Sequence, residues 1–127
     1  MTKKPSKLLL RSCAVASLIV LPFAAARAQD AGAGERAFAQ CAACHSIDGS
    51  NGAGPSLKGI VGSKAGNMPG FHFSRAMKNS AIVWNAQTLD AYIANPQAVI
   101  PGNVMPYSGL PDAKKRDDLV VYLQTLK

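Results

Sequence analysis

Acidic residues are scarce in this 127-residue chain: seven Asp and Glu stand against fourteen Lys and Arg, and none precedes Asp30. Only 17% of residues are charged while 48% are apolar, which excludes the composition of a disordered chain. No apolar run reaches the roughly 20 residues of a membrane-spanning helix. The longest, Cys13 to Ala26, has about 14 and contains Pro22. Internal repeats, low-complexity tracts, an interdomain linker and strand-like alternation are also absent. One small domain remains.

The formal charge of +7 would suit a polyanion-binding protein, but residues 1–28 hold five of the fourteen cations and no acid. From Gln29 onward nine cations face seven acids, a net of +2, so nucleic acid is not an expected partner. The N-terminal stretch has the parts of a secretory signal: a basic start, the apolar run, and Ala26-Arg27-Ala28 as a small-residue cleavage site. The expected division is a cleaved leader over 1–28 and a soluble, exported domain over 29–127. Cys13 leaves with the leader. Cys41 and Cys44 then form an even pair in an oxidising, periplasmic compartment.

Hydrophobic spacing predicts a helical domain with a long irregular middle. A first helix is expected from about Gly32 to Cys44, a shorter one from Ala86 to Ala94 ending before Pro96, and a last one from Pro111-Asp112. Leu119, Tyr122, Leu123 and Leu126 mark the inner stripe of the last helix. Between Ser46 and Ser80 the chain is rich in Gly, Ser, Asn and Pro and reads as loop. So much loop cannot build a core by itself. Another group has to fill the middle.

Cys41-Ala42-Ala43-Cys44-His45 points to that group. C-x-x-C-H is the attachment sequence of c-type haem: two thioethers fix the porphyrin edge and the imidazole takes one axial position on iron. A Cys41–Cys44 disulfide would close only a tiny loop, and a thioredoxin-type pair needs a βαβ context that is missing. Zinc would want four ligands, with only His72 as an obvious fourth. For the sixth position on iron the residues leave Met68, His72, Met105 or an empty site. Met105, in Pro101-Gly102-Asn103-Val104-Met105-Pro106, sits in the stiffest surroundings. Met77 suits the core.

Further landmarks follow in order: Gly54-Pro55-Ser56-Leu57, Trp84, Leu89-Asp90-Ala91-Tyr92, Asn95-Pro96, Ile100-Pro101-Gly102, Met105-Pro106 and Asp118 to Leu123. With the haem motif they resemble the class I cytochromes c, the mitochondrial protein and its soluble bacterial relatives, over essentially the whole domain. The resemblance implies an all-α fold, with the N- and C-terminal helices packed together and loops wrapped around one covalent haem c. It implies thioethers at Cys41 and Cys44, His45 and Met105 as iron ligands, and a Pro55 carbonyl that accepts from the imidazole. It further places Leu57, Trp84, Tyr92 and Asn103 at the haem, with Trp84 reaching a propionate and Tyr92 and Asn103 lying near the methionine sulfur.

Departures from the mitochondrial pattern are Ser63 for an arginine, Phe73 for a tyrosine, Met77 for an asparagine, and a loop about two residues shorter between His45 and Pro55. Fewer donors and cations near the propionates should favour oxidised iron. Gln40, Gln97, Ala98 and Val104 replace the lysines around the haem edge, so docking to redox partners should depend little on salt. The implied function is a one-electron carrier, not an enzyme, meeting membranes only through its partners and acting as a monomer. A haem peroxidase or small-molecule-binding protein with a labile distal site is the rival reading. A dedicated electron-accepting partner of one periplasmic dehydrogenase is another.

Overall fold

Asp30 has an extended backbone, and its carboxylate accepts from the Gly32 amide at 2.8 Å, starting helix α1 (Ala31–Phe38) in the computed structural model. The structure describes Met1 and residues 28–127; the leader reading falls almost wholly outside the described residues. Regular helix stops at Phe38, six residues before the sequence expectation. The chain continues in tight turns, with Cys41 and Ala42 amides both donating to Phe38 O, and Cys44 and His45 amides both to Cys41 O. Three- and four-residue closures alternate there, so the motif sits on a tightened turn that gives both thiols to one cavity.

Helix α2 (Arg75–Asn79) is a short element inside the stretch read as loop. At five residues it is too short to show a periodicity; the Ser74 hydroxyl, accepting from Met77 N–H at 3.1 Å, starts it. Helix α3 (Ala86–Ala94) has the predicted bounds. Asn85 and Thr88 close a reciprocal capping box at 2.9 and 2.8 Å, and Asn95 before Pro96 turns extended. Pro96, expected only to end α3, also opens α4 (Pro96–Val99), where its missing N–H costs nothing. Helix α5 (Ala113–Thr125) begins at Asp112, which accepts from Lys115 N–H at 3.1 Å.

Helix α5 packs on α1 and α3. The predicted stripe is inside: Leu119 and Leu123 are buried, and Tyr122 stacks tilted on Phe38 with ring centres 5.5 Å apart. The two helices approach so closely at Gly34 that a Cβ there would lie 2.0 Å from Asp118 O and 2.7 Å from Tyr122 Cβ. Among the described residues the only β pairing is an isolated antiparallel bridge, Lys64 with Val83. Around it Trp84 N–H donates to Ser63 O at 2.9 Å and Ala65 N–H to Ile82 O at 2.9 Å, which fixes Trp84 against the loops.

Asp118 is only 4% exposed. It accepts from Lys114 Nζ at 2.5 and 2.6 Å and from the Asp30 amide at 2.9 Å. The Lys114 hydrogen bonds, then the Asp30 amide, hold its pKa below the ordinary 3.8. A lowered folded pKa adds stability above the unfolded value, and that stability is lost as pH falls through the folded one. Asp118→Asn should therefore lower the thermal midpoint at pH 7. Below about pH 4 it should lose stability less steeply than the unsubstituted protein, which thermal melts across an acid series would measure.

Candidate functional site

His45 follows the second cysteine at the end of the tightened turn, and its ring is held from two sides. Nδ1 lies 2.7 Å from Pro55 O, which requires the proton on Nδ1 and leaves the Nε2 lone pair free for a metal. Gly54 lies against the same ring: a Cβ there would stand 2.7 Å from Cε1 and 2.8 Å from Nδ1. Only glycine fits. The motif and the Gly-Pro turn meet because Gly54 N–H donates to Cys44 O at 2.7 Å and Leu57 N–H to Ser46 O at 2.9 Å.

The short loop between them is built from its own side chains. Asp48 accepts from the Ser50 amide at 2.8 Å and hydroxyl at 2.6 Å, which with Ser46 brings its pKa down to about 2. Ser56 is fully buried; its hydroxyl accepts from Gly49 and Lys58 amides, and its own amide donates to Asn51 Oδ1 at 3.0 Å. Neither Gly54 nor Ser56 was singled out as a site residue. Their signal was the Gly-Pro-Ser-Leu run itself, but the reason for each lies in a contact that only the folded loop makes, Gly54 with the His45 ring and Ser56 with the Gly49, Lys58 and Asn51 groups.

Above the imidazole lies a cavity of about 650 Å³ with both thiols, His45 and Met105 on its wall. That is the size of a cofactor site. Pro55, Leu57, Trp84 and Tyr92, expected at the haem, all line it, and no acidic residue among those described does. Lys58 and Lys64 are the cations that reach it, both exposed, a favourable setting for a group carrying two carboxylates. Ser63 also reaches the wall, but its hydroxyl is donated to Ile60 O at 2.7 Å. His72 is exposed and off the wall, which removes the fourth ligand from the zinc reading.

Two groups on the wall lack protein partners suited to them. Tyr92 Oη is buried without a hydrogen bond, beside Trp84 at a ring separation of 5.0 Å. Burial pushes its pKa up to about 12, so it remains a donor. A buried donor left unmade costs about 1–3 kcal/mol, so the orphan marks where another group belongs. Burial, and then the neighbouring Cys44, raise the Cys41 thiol. The cavity, its apolar wall, two thiols, an oriented imidazole and an unpartnered hydroxyl fit a covalently held haem.

All three methionines of the middle and C-terminal region, Met68, Met77 and Met105, reach the wall, but Met105 is tied down best. Its amide donates to Asn103 Oδ1 at 3.0 Å. Gln97 Nε2 donates to Asn103 O at 2.8 Å, and Gln97 Oε1 accepts from Gly102 N–H at 3.2 Å. Met68 is tied only by a 3.4 Å bond from Phe71 N–H to its carbonyl. Asn103 departs from expectation. It does not line the cavity; its carboxamide is buried behind the loop, donating to Pro96 O and Ile100 O at 3.0 and 2.9 Å. Those bonds use both of its N–H donors on backbone, so it shapes the loop and has none to offer the sulfur.

Loops and helices closed around such a wall define a c-type haem protein, one that fixes its porphyrin by thioethers instead of by fit alone. The family model described as Cytochrome c matches residues 31–127. The chain belongs to that family: it has a class I cytochrome c fold, binds one covalently attached haem c with iron, and functions in electron transfer. It is 42% identical to cytochrome c2 of Rhodomicrobium vannielii over 113 residues, covering 87% of this chain and 90% of that one. To cytochrome c of Trypanosoma brucei brucei it is 48% identical over 79 residues, or 62% and 85% of the two chains. Among solved structures, cytochrome cH from Methylobacterium extorquens superposes with a TM-score of 0.73 at 47% identity, covering 76% of this chain and 98% of that one.

Proposed function

We propose that this cytochrome c is a soluble, monomeric, non-catalytic carrier outside the cytoplasmic membrane, exported by a leader over 1–28 and working through the domain 29–127. Cys41 and Cys44 would hold the porphyrin through thioethers, and His45 and Met105 would supply the iron's protein ligands. Haem c supplies a centre that takes up and returns one electron. Supporting the reading is the Nδ1-anchored imidazole and the hydrogen-bonded Met105 loop on the wall of one cavity. Pro55 fixes the imidazole tautomer and raises its basicity. Trp84 offers its indole to a propionate, Leu57 packs the ring, and the Tyr92 hydroxyl offers a hydrogen bond near the methionine sulfur. A thioether together with imidazole on the iron would favour its reduced state and raise the potential.

Absorption spectra of the purified oxidised and reduced forms test this. The expected result is a weak sulfur-to-iron band at the red end in the oxidised form and no response of the reduced form to carbon monoxide. A missing band with ready carbon monoxide binding would favour a peroxidase or gas-binding protein.

Partners are redox proteins, a reductase and an oxidase, that meet the haem edge on its face without charged side chains. Val104, beside Met105, is 74% exposed, and Gln40, Gln97 and Ala98 are exposed with it. Such a face is steered weakly by the partner's field. Stopped-flow rates with a redox partner should change by less than about threefold between low and physiological salt. A steep fall would show that charged docking operates after all.

A further inference from the structure

The segment that carries Met105 is well tied to itself and to α3. Leu110 N–H donates to Ile93 O at 2.9 Å, and Asn95 N–H to Ala91 O at 3.2 Å. Its links across the cavity are far fewer. Among the described residues a single hydrogen bond joins residues 95–110 to the segment bearing Cys41, Cys44 and His45. The Tyr107 hydroxyl donates to Gln40 Oε1 at 3.0 Å, between residues 67 positions apart.

Both partners of that bond are positioned by their own neighbours. Gln40 directly precedes Cys41, and its Nε2 donates to Ala37 O at 3.1 Å, which holds the carboxamide at the end of α1 and leaves Oε1 to accept. Tyr107 N–H donates to Met105 O at 2.8 Å around Pro106, whose ring fixes the intervening φ. Tyr107 therefore moves with Met105. Both side chains line the cavity and the bond is exposed, which places it on the rim.

We propose that Tyr107 and Gln40 form a clasp across the mouth of the haem cavity, holding the Met105 loop to the C-x-x-C-H segment and setting how often the sixth position opens to outside ligands. The proposal rests on the reading of Met105 as the distal ligand. Both are positioning residues, acting through Met105. Neither partner carries charge, so the clasp should hold equally at low and high salt, where an ion pair would weaken.

Haem-loaded oxidised protein mixed with excess imidazole, followed by loss of the red sulfur-to-iron band, reads the opening. Tyr107→Phe keeps the ring and loses only the hydroxyl; Gln40→Met keeps the stem. Each should raise the displacement rate about 3- to 10-fold, the usual effect of one hydrogen bond, at every salt concentration. The double variant should match the singles, because one bond can be broken only once. Amide hydrogen exchange at Met105 and Tyr107 should quicken by the same factor while Leu119 and Leu123 in α5 stay unchanged.

That exchange reads loop opening whatever group binds iron, whereas the band in the unsubstituted protein tests Met105 itself. An absent band with the predicted exchange pattern would overturn the ligand reading and keep the clasp. Single variants with exchange within twofold of the parent, effects that multiply in the double variant, or equal acceleration in α5 would each overturn the clasp.

Discussion

Gly34→Ala is expected to cost this protein about 3 kcal/mol or more, the upper range for forcing extra atoms into a packed contact. The added Cβ would fall 2.0 Å from Asp118 O and 2.6 Å from Asp118 C. Those are backbone atoms inside α5 and cannot rotate away, so α1 and α5 must separate. Separation would also loosen the Phe38–Tyr122 ring contact and the Asp30 amide bond to Asp118. Helix propensity runs the other way, since alanine suits a helix better than glycine by about 1 kcal/mol, and it is outweighed. For a domain of this size the thermal midpoint should fall by roughly 10 °C or more. Ala37→Gly, on the same helix without that approach, serves as the contrast in a denaturation series. A melt of Gly34→Ala equal to the parent would show that α1 and α5 are less closely apposed than described.

Met105→Ala should open the distal face of the iron. The oxidised protein should lose the red sulfur-to-iron band entirely, and the reduced protein should bind carbon monoxide. The potential should fall by a substantial part of the roughly 0.8 V range that axial ligands command. Met68→Ala should leave the band in place. This contrast matters because Met68 also reaches the cavity wall. A band that survives Met105→Ala but is lost in Met68→Ala would exchange their roles. Two observations favour Met105: its amide is bonded to Asn103 Oδ1, and the Asn103 carboxamide is in turn bonded to Pro96 and Ile100 carbonyls.

Much of the architecture was legible because the signals were local. The starts read at Ala86 and at Pro111-Asp112 hold to within two residues, and the structure shows why: Asn85 with Thr88, and Asp112 with Lys115, are caps written within four residues. Pro96 ended one helix, as its effect on the preceding residue requires. The same residue began the next, which the sequence reading missed because a four-residue helix has no periodicity to detect. The first helix was read too long. Ala39 to Cys44 has helical composition, but the chain there forms tightened turns that carry both thiols to the cavity wall.

Within the site, the attachment motif was readable because five contiguous residues hold it, and the Pro55 contact was readable by resemblance. Asn103 was not. A residue two positions before the proposed ligand is expected to touch the same group, yet its carboxamide donates to the Pro96 and Ile100 carbonyls and it does not line the cavity. Gly54 was visible only as part of a run; the imidazole it makes room for is nine positions earlier.

The sequence by itself determined the covalent chemistry, the helical class, the ends of α3 and the start of α5. Each depends on residue types at fixed short offsets, which chain connectivity enforces before anything folds. Tertiary structure alone decided which wall His72 leaves, how Met105 is tied, why Gly34 and Gly54 bear no side chain, and that Tyr107 meets Gln40 across 67 residues. Those are matters of close approach and of which buried or bridging donor finds which acceptor, and distance along the chain carries no record of them.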